Sequence, residues 1–286
     1  MIQDWSQALR LGTLRGLEHP GQGMPVLALH GWLDNAASFI PLMECLGESE
    51  HWVAVDLPGH GQSFHRPDGA TYPFLDWLLD IDELVASLGW SEFAIVGHSM
   101  GAGIGALYAA TRPNQVKRLM MLEGLGPLSN DENLTAEKLK NALSPRYRYQ
   151  DRDRLKLFST EEEAAERWAQ GFSKVSIEAA RLLASRGLER CGEQYRWSAD
   201  TRLKTTSLSR LSELQVLDLL SAAQAVPKML VSADAGMFQF ASQKDGRIKA
   251  LSSERHLEVS GGHHCHMDPE SASMIHDAWT EFSQVY

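Results

Sequence analysis

The chain has 286 residues, enough for one large domain or for a core domain that carries an insertion. Its 37 acidic residues outnumber its 27 basic residues, for a formal net charge of −10, which argues against a nucleic-acid-binding protein that depends on attraction to phosphates. No apolar run approaches the length of a membrane span, the N-terminus lacks a signal-peptide pattern, and Cys45, Cys191 and Cys265 suit neither a disulfide framework nor a zinc site, so we expect a soluble cytoplasmic protein.

Short apolar runs predict six buried strands, at residues 26–29, 52–55, 93–96, 116–122, 229–231 and 257–259. Residues 74–88 carry apolar side chains on one side of a predicted helix that Gly89 ends. Residues 102–110 are mostly Ala and Gly, which favours a helix lying close against a sheet. Strands that alternate with helices pair in parallel, so the pattern predicts an α/β fold with a mostly parallel central sheet flanked by helices.

Residues 127–225 interrupt this alternation and predict a helical cap inserted into a core of residues 1–126 and 226–286. No strand is predicted there, and a capping box at Thr160 with helical spacing at residues 177–183 and 208–220 indicates helices. The Arg- and Tyr-rich segment 145–156 fits the start of a solvated, mixed-charge helix, or else a surface for substrate access or a partner. Three aromatic side chains suit either a substrate pocket or the core of the cap: Trp168, Phe172 and Trp197.

A nucleophile pattern follows the third predicted strand. Residues 97–101 read Gly-His-Ser-Met-Gly and match G-x-S-x-G between a strand and a helix. A sharp turn there holds Ser99 in an uncommon backbone conformation, and glycine at both flanking positions avoids collisions with neighbouring backbone. The turn directs the Ser99 oxygen away from the sheet, while the N–H of Met100 at the helix start points toward a developing oxyanion. We expect His98 to pack in the turn rather than to act as a base.

Four motifs occur in an order that resembles the α/β-hydrolase superfamily: "LALHGWLDN", "VAVDLPGHGQS", "VGHSMG" and "GGHHCHMDP". Within it the sequence is most similar to the serine hydrolase-like proteins, which have a similar His-rich ending before a proline. The general layout also resembles haloalkane dehalogenases, but those place an aspartate where this chain has Ser99. An aspartyl-ester mechanism is therefore disfavoured.

The resemblance implies the remaining groups around the nucleophile. The N–H of Trp32 would be the second oxyanion donor beside that of Met100, whether its indole faces the pocket or packs in the core. His30 and His98 are possible pocket residues, although we expect His30 to be buried and bonded to backbone. The base would be His263, since in the family it directly follows a glycine in this loop.

The other residues of the His-rich ending support the loop in this interpretation. His264, Cys265 and His266 are also metal-ligand types, but four potential ligands in four consecutive residues cannot converge on one tetrahedral ion. Because no partner cluster is visible elsewhere in the sequence, we expect no metal.

Two residues compete for the role of the acid that orients His263. Most of the superfamily supplies it in a G-x-x-D pattern after the penultimate strand, and here Asp234 lies one residue short of that position. Part of the superfamily uses the end of the strand that follows the nucleophile helix, where this chain has Glu123. We favour Glu123, because a strand end fixes its direction and a carboxylate buried there needs a partner, but Asp234 stays open. Asp56 is interpreted as a turn residue that anchors its loop.

These assignments predict a serine hydrolase that acts on a small-molecule ester through an acyl-enzyme, with no cofactor and no nucleic-acid or membrane partner. A thioester, an amide or a carbon–carbon bond beside a carbonyl are alternative substrates. A ligand-binding or sensor protein that retains the pocket with little turnover is an alternative of another class, and a scaffold whose functional part is the cap surface is a third. The sequence carries no indication of oligomeric state.

Overall fold

The core of the protein is an eight-stranded sheet, seen in a computed structural model that describes residues 1–130, 132–143, 155–171, 174–205, 207–237 and 242–286. Its strands are β1 (Gln3–Leu9), β2 (Gly12–His19), β3 (Val26–Leu29), β4 (Trp52–Val55), β5 (Phe93–His98), β6 (Val116–Leu122), β9 (Lys228–Ala233) and β10 (Arg255–Val259). They lie in the order β1-β2-β4-β3-β5-β6-β9-β10. The first two are antiparallel to their neighbours, and the other six run parallel.

Helices cover both faces of the sheet. They are α1 (Ile40–Met43), α2 (Asp76–Leu88), α3 (Met100–Thr111), α8 (Lys244–Leu251) and α9 (Pro269–Val285), with α4 (Thr135–Leu143), α5 (Glu161–Ala169), α6 (Ile177–Gly187) and α7 (Glu213–Ala222) between β6 and β9. One buried cluster joins a sheet face to α2, α3 and α7, and a second joins the other face to α1 and α9. The predicted mostly parallel α/β sheet flanked by helices is confirmed.

All six predicted strands are present, and sequence analysis missed an edge hairpin, β1 and β2. In β1 the side chains alternate between exposed and half-buried, so the strand has no continuous apolar run. It pairs with β2 from Gln3↔Glu18 to Leu9↔Gly12. An edge strand with one solvated face lacks the uniformly apolar pattern that identifies a buried parallel strand.

The segment between β6 and β9 differs from the prediction in one respect, since it contains strands. A hairpin of β7 (Leu188–Cys191) and β8 (Gln194–Trp197) follows α6, and its two-residue turn uses Gly192 at φ 65°. Helix α7 packs in the main core through Val216 and Leu220. No helix in the described ranges is both long and apolar enough to cross a membrane.

The parallel strands bring five loops to one edge of the sheet. These loops follow β3, β5, β6, β9 and β10, and they carry the predicted site residues Trp32, Ser99, Glu123, Asp234 and His263. Ligands of open α/β sheets bind at the carboxyl ends of the strands, near the point where the strand order reverses. The fold therefore collects on one edge groups that are up to 231 positions apart in the chain.

Candidate active site

A sharp turn between β5 and α3 carries Ser99. Its backbone lies at φ 50° and ψ −108°, outside the ordinary regions for a residue with a side chain. A Cβ at Gly97 would stand 2.5 Å from the backbone nitrogen of Ala102, and a Cβ at Gly101 would overlap the carbonyl oxygen of Leu29. Glycine is thus required on both sides of Ser99 by close backbone approach, which is the physical reason for the G-x-S-x-G pattern.

Ser99, His263 and Glu123 form a continuous hydrogen-bonded chain. The Oγ of Ser99 lies 2.9 Å from Nε2 of His263, and Nδ1 of His263 lies 3.2 Å from Oε2 of Glu123. A carboxylate only accepts, so Nδ1 carries the proton and Nε2 is free to accept from the serine hydroxyl. Glu123 is 2 % exposed, while Ser99 is partly accessible.

The carboxylate of Glu123 is fully provided with hydrogen-bond donors. The N–H of Ala233 donates to Oε1 at 2.8 Å and the N–H of Met237 donates to Oε2 at 2.9 Å, in addition to His263. Its backbone is also in the left-handed region, at φ 45°. Gly236 packs directly on the carboxylate, where a Cβ would overlap it. The end of β9 and the loop after it therefore enclose Glu123 and offset the cost of burying its charge.

Asp234 lies apart from this chain. Its side chain is exposed, and Oδ1 accepts the N–H of Gly261 at 2.9 Å, which links the loops after β9 and β10. Of the two candidate acids, the carboxylate that contacts His263 is Glu123, and Asp234 has the role of a loop-to-loop bridge.

Both predicted oxyanion donors have free amides. The N–H groups of Trp32 and Met100 have no hydrogen-bond partner among the described residues. Gly101 packs on the carbonyl of Leu29, so the start of α3 lies directly against the end of β3 and the loop that carries Trp32. Trp32 is 51 % exposed and its indole Nε1–H donates to the carbonyl of Leu203 at 3.1 Å, so it is not a core residue.

His30 and His98, named as possible pocket residues, are fully buried and line no open surface. The Nδ1–H of His30 donates to the Gly31 carbonyl at 2.7 Å, and its Nε2 accepts the N–H of Leu57 at 3.0 Å. Burial lowers the pKa of His30, so the ring is neutral and structural. The His30 side chain therefore links the loop after β3 to the loop after β4.

A cluster of buried polar side chains surrounds His98, and sequence analysis did not foresee it. Asp34 lies 3.3 Å from Nδ1 of His98, and both of its carboxylate oxygens lie 3.1 Å from Nε2 of His264. The expectation that the late histidines have no partner elsewhere was therefore wrong: Asp34, His98 and His264 present three ligand-type atoms within 4.8 Å of one another. Asp34 and His264 are more than 200 positions apart in the sequence, so no local motif could indicate that they are in contact.

Neighbouring groups of the His-rich loop are buried and neutral. Burial lowers the pKa of His266 well below its usual value and raises the pKa of the Cys265 thiol to about 12. Burial likewise lowers the pKa of His98. None of these groups therefore competes with His263 as a base, and Cys265 is not a reactive thiolate.

The segment between β6 and β9 is fastened to the loops beside the site. Arg186 at the end of α6 donates through Nε to Oδ2 of Asp56 at 2.9 Å, and Asp56 also accepts the N–H of Ala36 and of Gln62. Asp56 thus anchors its loop, as the sequence predicted. Its cationic partner, Arg186, was not predicted.

The aromatic residues of this segment form a small core. The rings of Trp168 and Trp197 are 4.6 Å apart and pack with Ala165, Ala180 and Ala184. Trp168 and Trp197 therefore pack in the core of this segment, one of the two roles predicted for them. Phe172 and residues 145–154 of the Arg- and Tyr-rich segment lie outside the described residues.

Three comparisons place the chain among known proteins. A family model described as "alpha/beta hydrolase fold" matches residues 24–270. A serine hydrolase-like protein of Danio rerio is 31 % identical over 92 % of this chain and 84 % of its own length. A crystal structure of a hypothetical protein from Pseudomonas aeruginosa superposes with a TM-score of 0.90 at 35 % identity, covering 98 % of this chain and 99 % of that one. The thioesterase domain from the curacin biosynthetic pathway gives 0.83 at 25 % identity, covering 97 % and 98 %.

Proposed function

The chain belongs to the α/β-hydrolase family, close to the serine hydrolase-like proteins, and from this we propose that it is a serine hydrolase of carboxylic esters with the triad Ser99, His263 and Glu123. The observation that carries the proposal is the hydrogen-bonded chain from Ser99 Oγ through His263 to Glu123, with spacings of 2.9 and 3.2 Å. Nucleophile, base and orienting acid within hydrogen-bond reach are what nucleophilic catalysis requires.

The reaction follows from the protonation of the three groups. Ser99 Oγ attacks the ester carbonyl carbon as Nε2 of His263 removes its proton, and the carbonyl oxygen becomes an oxyanion that the N–H groups of Trp32 and Met100 hold. His263 then gives the proton to the leaving alcohol, and Ser99 is left acylated. A water molecule, deprotonated by His263, attacks the acyl group and releases the acid, which restores the hydroxyl of Ser99.

Glu123 acts on the imidazole and not on the substrate. Its three donors, the N–H groups of Ala233 and Met237 and the Nδ1–H of His263, hold it fixed in a buried position. A fixed carboxylate selects the tautomer in which Nε2 accepts from Ser99, and it stabilises the imidazolium that forms during attack.

The proposal includes the domain division into a core of residues 1–126 and 226–286 and a cap of residues 127–225. Two hydrogen bonds between this range and core loops support the division. Arg186 donates to Asp56, and Trp32 donates to the carbonyl of Leu203. In this division α7, at the end of the range, forms the boundary between cap and core, because Val216 and Leu220 pack in the main buried cluster.

Thioesters are a second candidate substrate class. The structure named a thioesterase domain shares the fold with this chain at a TM-score of 0.83 and 25 % identity. A thioester needs the same nucleophile, base and oxyanion donors, and its thiol leaves more easily than an alcohol. Oxyesters and thioesters would use the same triad, so only their measured hydrolysis rates distinguish the two substrate classes.

The experiment is a panel of matched oxyesters and thioesters of increasing acyl length, assayed with wild type, Ser99→Ala and Ser185→Ala. Ser185 is an exposed serine of α6 whose hydroxyl donates to the Leu182 carbonyl, and it serves as the control. We expect wild type and Ser185→Ala to turn over the same substrates, and Ser99→Ala to lose roughly 10³-fold or more in kcat. A wild-type protein that binds these compounds without turnover would support the ligand-binding or sensor function instead.

A further inference from the structure

Three segments that serve the proposed site meet in one buried cluster behind His263. The loop after β3 contributes Asp34, the nucleophile turn contributes His98, and the loop after β10 contributes His264. All three side chains are at most 8 % exposed. Each loop carries, within two residues of its cluster member, a group of the proposed reaction: Trp32, Ser99 and His263 respectively.

His98 contacts the backbone of the residue proposed as the base. Its Nε2 lies 2.8 Å from the carbonyl oxygen of His263, and the two rings lie 4.8 Å apart between centroids. A carbonyl oxygen only accepts, so His98 is the donor through Nε2–H. This bond joins the residue that precedes Ser99 to the backbone of His263, whose ring accepts from Ser99 on the other side.

Asp34 and Gly31 pack against the opposite side of the His98 ring. Oδ2 of Asp34 lies 3.3 Å from Nδ1 of His98, and a Cβ at Gly31 would stand 2.6 Å from that oxygen and 2.8 Å from that nitrogen. The backbone beside Trp32 therefore packs directly against the Asp34–His98 pair. The face of the His98 ring is covered by His266, with 4.2 Å between ring centroids.

We propose that His98 is a positioning residue for the imidazole of His263, acting through its Nε2–H bond to the His263 carbonyl, while Asp34 accepts from His264 and packs beside the His98 ring. The proposal rests on the proposed function. It makes the spacing between Ser99 and His263 depend on a side chain that touches neither substrate nor reacting atoms. A misplacement of about 1 Å far from the chemistry can cost roughly 100-fold in rate.

Two substitutions of His98 separate its contacts. Gln places an amide nitrogen where Nε2 of His98 stands and keeps a donor to the His263 carbonyl. Asn ends near the position of Nδ1, so it does not reach the His263 carbonyl and loses that bond. Both variants remove the ring and its titration; Asn is one methylene shorter than Gln, and the two differ in the bond that the proposal invokes.

The experiment measures kcat, KM and melting temperature of His98→Gln and His98→Asn on an ester that wild type hydrolyses. We expect His98→Asn to lose about 100-fold in kcat with KM nearly unchanged, and His98→Gln to recover most of that loss. A purely structural role would lower both melting temperatures and leave kcat of the folded variants equal. Equal kcat values in the two variants would overturn the proposal.

A second readout keeps this test independent of turnover. Amide hydrogen exchange over residues 262–266 is expected to be faster in His98→Asn than in His98→Gln, because the first variant releases the His263 carbonyl. Failure of the proposed function is seen separately, as a wild type that neither turns over nor acylates. Equal exchange in both variants contradicts the proposal, and so does one equivalent of divalent metal in purified wild type that is lost in His98→Gln, since it would assign Asp34, His98 and His264 to a metal site.

Discussion

Gly236 packs directly against the carboxylate of Glu123, so closely that a Cβ at this position would overlap it. The loop after β9 is where the resemblance implies the acid in most of the superfamily. In this chain the last residue of β9, Ala233, and Met237 of that loop instead supply backbone N–H donors to a carboxylate that comes from the end of β6. The acid therefore follows β6, while the backbone groups that hold it come from the end of β9 and the loop after it.

Glu123→Gln is expected to lower kcat by roughly 100-fold or more while the protein stays folded. The amide cannot accept from three donors as the carboxylate does, and it no longer stabilises the imidazolium of His263. The measurement is steady-state kinetics on the best substrate of the panel. Asp234→Asn is the matched control, because it alters an exposed carboxylate that bonds Gly261. A large loss in Asp234→Asn with little change in Glu123→Gln would reverse the assignment of the acid.

The parts of the site that follow strand ends could be predicted from the sequence. Ser99 and Glu123 each come directly after the paired residues His98 and Leu122 of neighbouring parallel strands, so strand boundaries alone brought them to the same edge. His263 followed from a glycine-preceded motif and a resemblance. Each of these residues is identified by a local sequence pattern, and a parallel sheet places the residues that follow its strand ends at one edge.

Other parts depend on contacts that no local pattern encodes. Asp34 meets His98 and His264 only because three loops fold onto one another, and Arg186 reaches Asp56 across 130 residues. The β1–β2 hairpin was missed because an edge strand is half-solvated, and the β7–β8 hairpin because its strands contain charged residues and no continuous apolar run. Long-range polar contacts and short solvated strands carry weak sequence patterns.

Gly101→Ala is expected to destabilise the protein by about 2 kcal/mol or more, because the new Cβ overlaps the Leu29 carbonyl and forces the start of α3 away from β3. The measurement is the free energy of unfolding in urea. Gly246→Ala is the control: Gly246 lies within α8, and its Cβ would stand 4.0 Å from Leu217, so we expect a gain of about 0.5–1 kcal/mol. Equal and small effects would contradict the account of the nucleophile turn.

Arg186→Met is expected to cost about 3–5 kcal/mol of unfolding free energy, because it leaves the buried carboxylate of Asp56 without its cationic partner. Arg181 lies on the same helix and pairs with Glu162 at 2.6 Å, but its side chain is 52 % exposed. Arg181→Met should therefore leave the unfolding free energy nearly unchanged. If both variants unfold alike, Arg186 does not fasten the segment between β6 and β9 to the core.

The pair His276–Glu50 predicts a pH dependence of stability. Nε2 of His276 lies 3.0 Å from Oε2 of Glu50, and this hydrogen bond raises the pKa of His276 above its usual value. A raised pKa means that the stabilisation is full below the unfolded-state pKa of about 6.5 and is lost as the pH rises through the higher folded-state pKa. The pair ties α9 to the loop that precedes β4.

The measurement compares unfolding free energies of wild type and His276→Gln at about pH 6 and about pH 8, on either side of the usual histidine pKa. Gln keeps a donor but does not titrate. We expect the advantage of wild type to be smaller at the higher pH by up to about 1 kcal/mol. An advantage that stays constant or grows with pH contradicts the assigned direction.

The most direct test of the central claim is the labelling of Ser99 by a fluorophosphonate at neutral pH, followed by intact mass and peptide mapping. The reagent reacts with a serine whose hydroxyl is activated by a base and whose oxyanion is held by donors. We expect one adduct per chain, located on Ser99, absent in Ser99→Ala and formed much more slowly in Glu123→Gln. A folded wild-type protein in which Ser99 stays unlabelled would contradict the proposal that Ser99, His263 and Glu123 form a working triad.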